Sequence, residues 1–159
     1  MLDAGIIDET GAILETSHRF TASITQINGE SAFVLPGTQV SITQGDIRNI
    51  QLSKAAICAG LQTLMSHTGL CGEDIGGLVI AGGFGGSLDL NAAEKIGLIP
   101  PGFAGKTVTA GNAALHGAAR LAAVGSSAAQ ELSRKCSTLE LSANADFFDK
   151  YISNMGFIV

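Results

Sequence analysis

The spacing of apolar positions changes several times along this chain, and each change marks a predicted element. Met1–Ala4 reads as the last turn of a helix stopped by Gly5, an unusual place for a domain to begin. Ile6-Ile7 and Ile13-Leu14 flank the turn residues Asp8-Glu9-Thr10-Gly11 and predict a small hairpin. Ser31–Leu35 and Gln39–Ile42 read as two short strands joined at Pro36-Gly37. From Thr43 the period becomes helical and stays so to about His67, where Gly69 stops it. Thr43 is an N-cap residue, and Asp46 three positions later completes a capping-box pattern.

That long helix carries one stripe of Ile47, Ile50, Ile57, Cys58, Leu61, Leu64 and Met65, and another of Leu52, Ala55, Ala56 and Ala59. A helix apolar nearly all round is expected to be covered on more than one side. Gln51 and Lys54 interrupt the first stripe. Either Lys54 snorkels from a helix edge, or this end of the helix faces a polar cleft.

Leu78-Val79-Ile80-Ala81 is a continuous apolar run between glycines, the pattern of a strand buried on both faces. The turn Gly82 to Gly86 follows, and Asp89 can cap a short helix through Ile96, ended by Gly97. Lys106–Ala110 reads as a second strand, with Gly111-Asn112 at its end. The helix expected over Ala113–Val124 has a face of Ala114, Gly117, Ala118 and Leu121, small enough to sit close on a sheet. A short helix, a strand at Thr138–Leu141 and a last helix bearing Phe147, Phe148, Tyr151, Ile152 and Met155 complete the chain. The alternation of helix and strand predicts parallel strands with right-handed crossovers. The expected fold is therefore α/β in one domain over 1–159: a hairpin region at 1–43, an α/β half-cleft at 44–125 and an α-rich tail at 126–159 packing on it.

Composition narrows the function. Of 159 residues, 46% are hydrophobic and 14% charged, which fits a buried core and not a disordered tail. A net charge of −5 and an aromatic share of 5% without Trp argue against a nucleic-acid partner. No apolar run is long enough for a membrane span, and Met1-Leu2-Asp3 does not open a signal peptide, so a cytoplasmic protein is expected. Cys58, Cys71 and Cys136 are odd in number and form no C-x-x-C pair, so neither a disulfide framework nor a metal or iron–sulfur site built by this chain alone is expected.

Ligands of open α/β sheets bind beyond the carboxyl ends of the strands. Two turns fall there: Gly82-Gly83-Phe84-Gly85-Gly86 and Gly111-Asn112. Parallel strands put both on one edge, where backbone without Cβ atoms can lie against a ligand. The same glycines equally permit a tight reversal with no ligand. Two better-known phosphate motifs fail. Counting from Gly83, the third glycine of a dinucleotide fingerprint falls on Leu88, and Gly105-Lys106-Thr107 ends like a P-loop whose first glycine would be Pro100. His18, His67 and His116 show no paired spacing, and no catalytic constellation or metal site is assigned.

Several segments resemble the reductive activators of corrinoid proteins. They are Thr43-Gln44-Gly45-Asp46-Ile47-Arg48, Gln51-Leu52-Ser53-Lys54-Ala55-Ala56-Ile57, Ala81-Gly82-Gly83-Phe84-Gly85, Ile96-Gly97-Leu98-Ile99-Pro100 and Gly111-Asn112-Ala113-Ala114-Leu115, in order over nearly the whole chain. The resemblance implies a partial actin-like (ribonuclease H-like) domain of the sugar kinase, heat-shock protein and actin superfamily. It also implies a parent protein with an N-terminal iron–sulfur domain that uses ATP and magnesium to restore the Co(I) state of a corrinoid protein for its methyltransferase. By that resemblance Gly82, Gly83, Phe84 and Gly85 form the adenosine motif, and Asn112 belongs to the second connecting motif. Arg48, Gln51 and Lys54 then border adenine, which would explain the polar break in the helix stripe. The phosphate motifs, the magnesium-holding aspartates and the cluster cysteines of the superfamily have no match here, so the resemblance implies a chain that neither hydrolyses ATP nor moves electrons alone. A fragment of a small-molecule kinase and an actin-like interaction module without nucleotide are the competing expectations.

Overall fold

The computed structural model describes residues 1–15, 20–83, 87–125 and 127–157. At the N-terminus, Gly5 at φ 62° receives the chain in a Schellman closure: its amide donates to Leu2 O (2.9 Å) and that of Ile6 to Met1 O (3.0 Å). Ile7 then bridges Ile13 antiparallel across the Asp8–Gly11 turn.

Three strands form an antiparallel sheet in the order β1-β2-β3, with β1 at Ile24–Ile27, β2 at Glu30–Val34 and β3 at Ser41–Thr43. Ile24 pairs with Phe33, and Phe33 with Ile42, so one register line crosses all three strands. Sequence pattern placed β2 and β3 within a residue or two but passed over β1. Its signal is the Asn28-Gly29 turn, with both residues at positive φ (52° and 83°), the conformation of a two-residue hairpin.

The long helix α1 runs Gln44–Thr68. Its capping box is complete: Thr43 Oγ1 accepts from Asp46 N (3.1 Å), and Asp46 Oδ2 accepts from Thr43 N (2.9 Å). Gly69 in the left-handed region closes its other end. The buried stripe of α1 is Ile47, Gln51, Lys54, Ala55, Cys58, Ala59 and Thr63. Ile50, Ile57 and Leu64, expected inside, lie exposed. The expectation of cover on more than one side is corrected to a single buried face, and that face includes the two polar residues.

A second, parallel sheet pairs β4 (Leu78–Ile80) with β5 (Thr107–Thr109), Leu78 opposite Thr107 and Ile80 opposite Thr109. Between them lies α2 (Leu90–Lys95), capped by Asp89, whose carboxylate accepts from Ala92 N (3.0 Å). Leu78 and Ile80 pack with Ala93, Ile99, Phe103 and Met65. The opposite face is open, with Val79 62% and Val108 59% exposed, so the strand expected to be buried twice is buried once. Helix α3 (Ala113–Val124) has the expected bounds, but every residue of it is exposed, and its small-residue face does not cover this sheet.

Helices α4 (Ser127–Lys135) and α5 (Ala145–Ser153) follow. No strand forms at Thr138–Leu141: Leu141–Ala143 is a short 3-10 turn, and no strand of the described residues pairs there. Helix α5 packs along α1, where Lys150 Nζ donates to Ser66 Oγ (2.6 Å) and Asn154 Nδ2 to Gln62 Oε1 (2.8 Å). A second cluster of Ile7, Ile13, Ile47 and Phe157 joins the two chain ends to the start of α1. No helix of the described residues is long and apolar enough to cross a membrane.

Candidate functional site

The parallel pairing of β4 and β5 carries the chain out of both strands at one edge. The pairing continues one step past each strand: Ala110 N donates to Ile80 O (2.8 Å), and Gly82 N donates to Gly111 O (2.7 Å). The two glycine turns are therefore locked to each other. Gly82 has φ 112° and Gly111 φ 59°, conformations that L side chains rarely adopt. A Cβ built on Gly82, Gly83 or Gly111 would meet nothing within 4 Å, so the backbone there is a bare surface. Asn112 is exposed and caps α3, its Oδ1 accepting from Leu115 N (3.0 Å). The first turn of α3 thus starts directly from the edge. Phe84 and Gly85 lie outside the described residues.

The other three candidates lie elsewhere in the fold. Arg48 is exposed and lines an open cleft with Glu9, Thr10, Gln51, Met155 and Phe157, a lining that contains none of the edge glycines. Gln51 and Lys54 are 1% and 2% exposed. Gln51 Nε2 donates to Thr10 O (2.9 Å) and Met155 O (3.0 Å). Lys54 Nζ donates to Asn154 O (2.7 Å) and to Gly156 O, and lies 5.1 Å from the centre of the Phe157 ring. Burial pushes its pKa below the ordinary value of 10.5, and burial pushes the Cys58 thiol up. The polar break in the helix stripe is thus occupied by main-chain carbonyls of the chain ends. Lys54 does not snorkel, being 2% exposed, whereas Arg48 and Gln51 on the same end of the helix do line an open cleft.

Sequence pattern missed the same use of polar side chains at two other places. Gln44 clasps the first hairpin, its Oε1 accepting from Ile13 N (2.9 Å) and its Nε2 donating to Gly11 O (2.7 Å). Lys106, dismissed as a P-loop lysine, donates to Gly72 O (2.6 Å) and Ile75 O (2.8 Å) with its ammonium 4.3 Å from the Phe103 ring centre. No pattern of types marks such residues, because their partners are carbonyls that every residue has. The described residues contain no group of His, Cys, Asp and Glu placed to hold a metal, and the three cysteines are free.

Comparison with known proteins shows which family the chain belongs to. A curated relative from Eubacterium limosum, the corrinoid activation enzyme RamQ, is 32% identical over 158 residues, which is 98% of this chain and 26% of that protein. A solved structure of a reductive activator for corrinoid, iron-sulfur protein superposes with a TM-score of 0.83 at 34% identity, over 98% of this chain and 26% of that one. The chain thus spans about a quarter of the length of the relatives it matches. The model of the C-terminal domain of RACo, the ASKHA domain, matches residues 1–159, and the chain belongs to that family.

Proposed function

We propose that this chain contributes the adenosine-facing side of an ATP cleft in an activator that reduces Co(II) corrinoid proteins to Co(I), making them competent for methyl transfer. The observation that carries this reading is the bond from Gly82 N to Gly111 O, which fuses two bare glycine turns into one ledge at the strand ends. A planar nucleoside needs such a ledge, because side chains would hold it off the backbone. Gly82 and Gly83, with Phe84 and Gly85, are the residues assigned to the nucleoside, and Asn112 starts the helix on which the cleft would hinge. Arg48, whose cleft contains none of the edge glycines, is a weaker candidate for the nucleotide. Gln51 and Lys54, the other two candidates, have their donors engaged by main chain of Thr10 and of residues 154–156.

The phosphates, magnesium and the iron–sulfur cluster would be held by other parts of a protein of the relatives' full length, acting in the cytoplasm on a corrinoid protein and its methyltransferase. ATP would supply the free energy that a low cobalt potential demands, through its different affinity for two conformations of the activator.

Calorimetric titration with a non-hydrolysable ATP analogue and magnesium tests the assignment. Little heat is expected from this chain alone and clear binding from a protein of the relatives' full length carrying it. Within that longer protein, Gly83→Val should weaken binding by about tenfold or more, the scale of one blocked contact surface. A well-folded longer protein without nucleotide binding would overturn the reading and leave an interaction domain in its place.

A further inference from the structure

Helices α3 and α4 pack chiefly on each other, and neither holds a buried residue. Their facing sides leave a groove of roughly 560 Å³, floored by Gly117, Leu121 and Val124 on α3 and by Ala128 and Leu132 on α4. Spacings of three and four keep each row on one helix face. Leu121, Val124 and Leu132 are exposed. Arg120 stands in the lining beside them, and among the described residues it has no ion-pair partner.

We propose that this groove seats an acidic amphipathic helix of a partner protein. Shape selects a helix, because two facing helical rows offer ridges and a groove that a third helix matches. Charge selects an acidic one. Of the chain's nine Lys and Arg and fourteen Asp and Glu, the stretch from Thr107 to Cys136 holds three and one. It is a positive region on a chain of net charge −5, and it steers a negative partner to this face. Lys135 is already paired with Glu131 (2.8 Å), which leaves Arg120 as the groove's cation for a partner's carboxylate. The apolar floor buries the partner's apolar row, and the Arg120 pair fixes its register. A nucleic acid or an anionic membrane needs several cations side by side, whereas this groove sets one beside an apolar floor. The inference is independent of the nucleotide assignment, since the groove's lining contains none of the edge glycines.

The probe is a synthetic helical peptide with leucines along one face and glutamates on its flanks, titrated into the whole chain by fluorescence anisotropy. Its counterpart with lysines in place of the glutamates is the control. The glutamate peptide is expected to bind about tenfold or more tightly than the lysine peptide, a difference that shrinks as salt is added. Arg120→Glu should weaken the glutamate peptide by about tenfold and strengthen the lysine peptide, a reversal that a merely structural role of Arg120 does not produce. Leu132→Ser should weaken both. Equal binding of the two peptides, binding of neither, or an unchanged preference in Arg120→Glu would overturn the proposal. Tighter binding to phosphatidylserine vesicles or to a DNA duplex would overturn it in favour of that surface. A protein of the relatives' full length that binds neither peptide would overturn it too, and would assign the groove to the interior of that protein.

Discussion

Gly82 and Gly111 meet across the two strand ends, amide to carbonyl at 2.7 Å, each in a backbone conformation that ordinary side chains rarely adopt. This contact sets the geometry of the edge more tightly than either turn could alone. Gly111→Ala should cost about 1 kcal/mol, the penalty of a left-handed L residue with free space for its Cβ. Gly82→Ala should cost more, since φ 112° lies outside the left-handed well altogether. Urea unfolding of the two variants gives the order, and a larger loss for Gly111→Ala would show that the pairing does not hold Gly82 in place.

Gln44 joins α1 to the first hairpin through both atoms of its amide. Gln44→Leu should destabilise by about 1–3 kcal/mol, because the part-buried Ile13 amide and Gly11 carbonyl both lose partners. Gln44→Glu separates the two bonds. It keeps an acceptor for Ile13 N but sets an oxygen against Gly11 O, and should fall between wild type and Gln44→Leu in denaturant midpoint.

Lys54 sets a pH dependence of known sign. Its pKa in the fold is lowered from 10.5, so below the folded value its burial cost is fully present. Between the folded value and 10.5 the unfolded chain binds the extra proton, and stability rises with pH through that window. The difference in urea midpoint between wild type and Lys54→Met should therefore shift in favour of the wild type from about pH 7 to about pH 10. A difference that stays flat over that range would mean that Lys54 is solvated in the fold.

Helices were far more legible in the sequence than what they pack against. The capping pair Thr43 and Asp46, the stop at Gly69 and the whole of α3 follow from local chemistry, which a sequence displays directly. Strand β1 was passed over because Ile24-Thr25-Gln26-Ile27 has only two apolar residues and is defined by its Asn28-Gly29 turn. Thr138–Leu141 alternates polar and apolar residues but has no described neighbour to pair with, and pairing makes a strand. The glycine ledge was legible because parallel strands must deliver their ends to one edge. The roles of Gln51 and Lys54 were not, because their partners are main-chain carbonyls of Thr10 and of a segment about a hundred residues away, which no pattern of side chains marks.

The parallel pair β4-β5 has a consequence for how the chain behaves in concentrated solution. Among the described residues each strand has only the other as partner, so each keeps one outer row of main-chain donors and acceptors for a further strand. Val79 and Val108 stand on the open face between those rows, with no charged residue or proline within either strand to discourage a neighbour. A sheet of this kind recruits strands. Handled by itself, the chain should lose monodispersity as concentration rises, with β4 and β5 as the point of growth, and a lysine in place of Val79 should restore it.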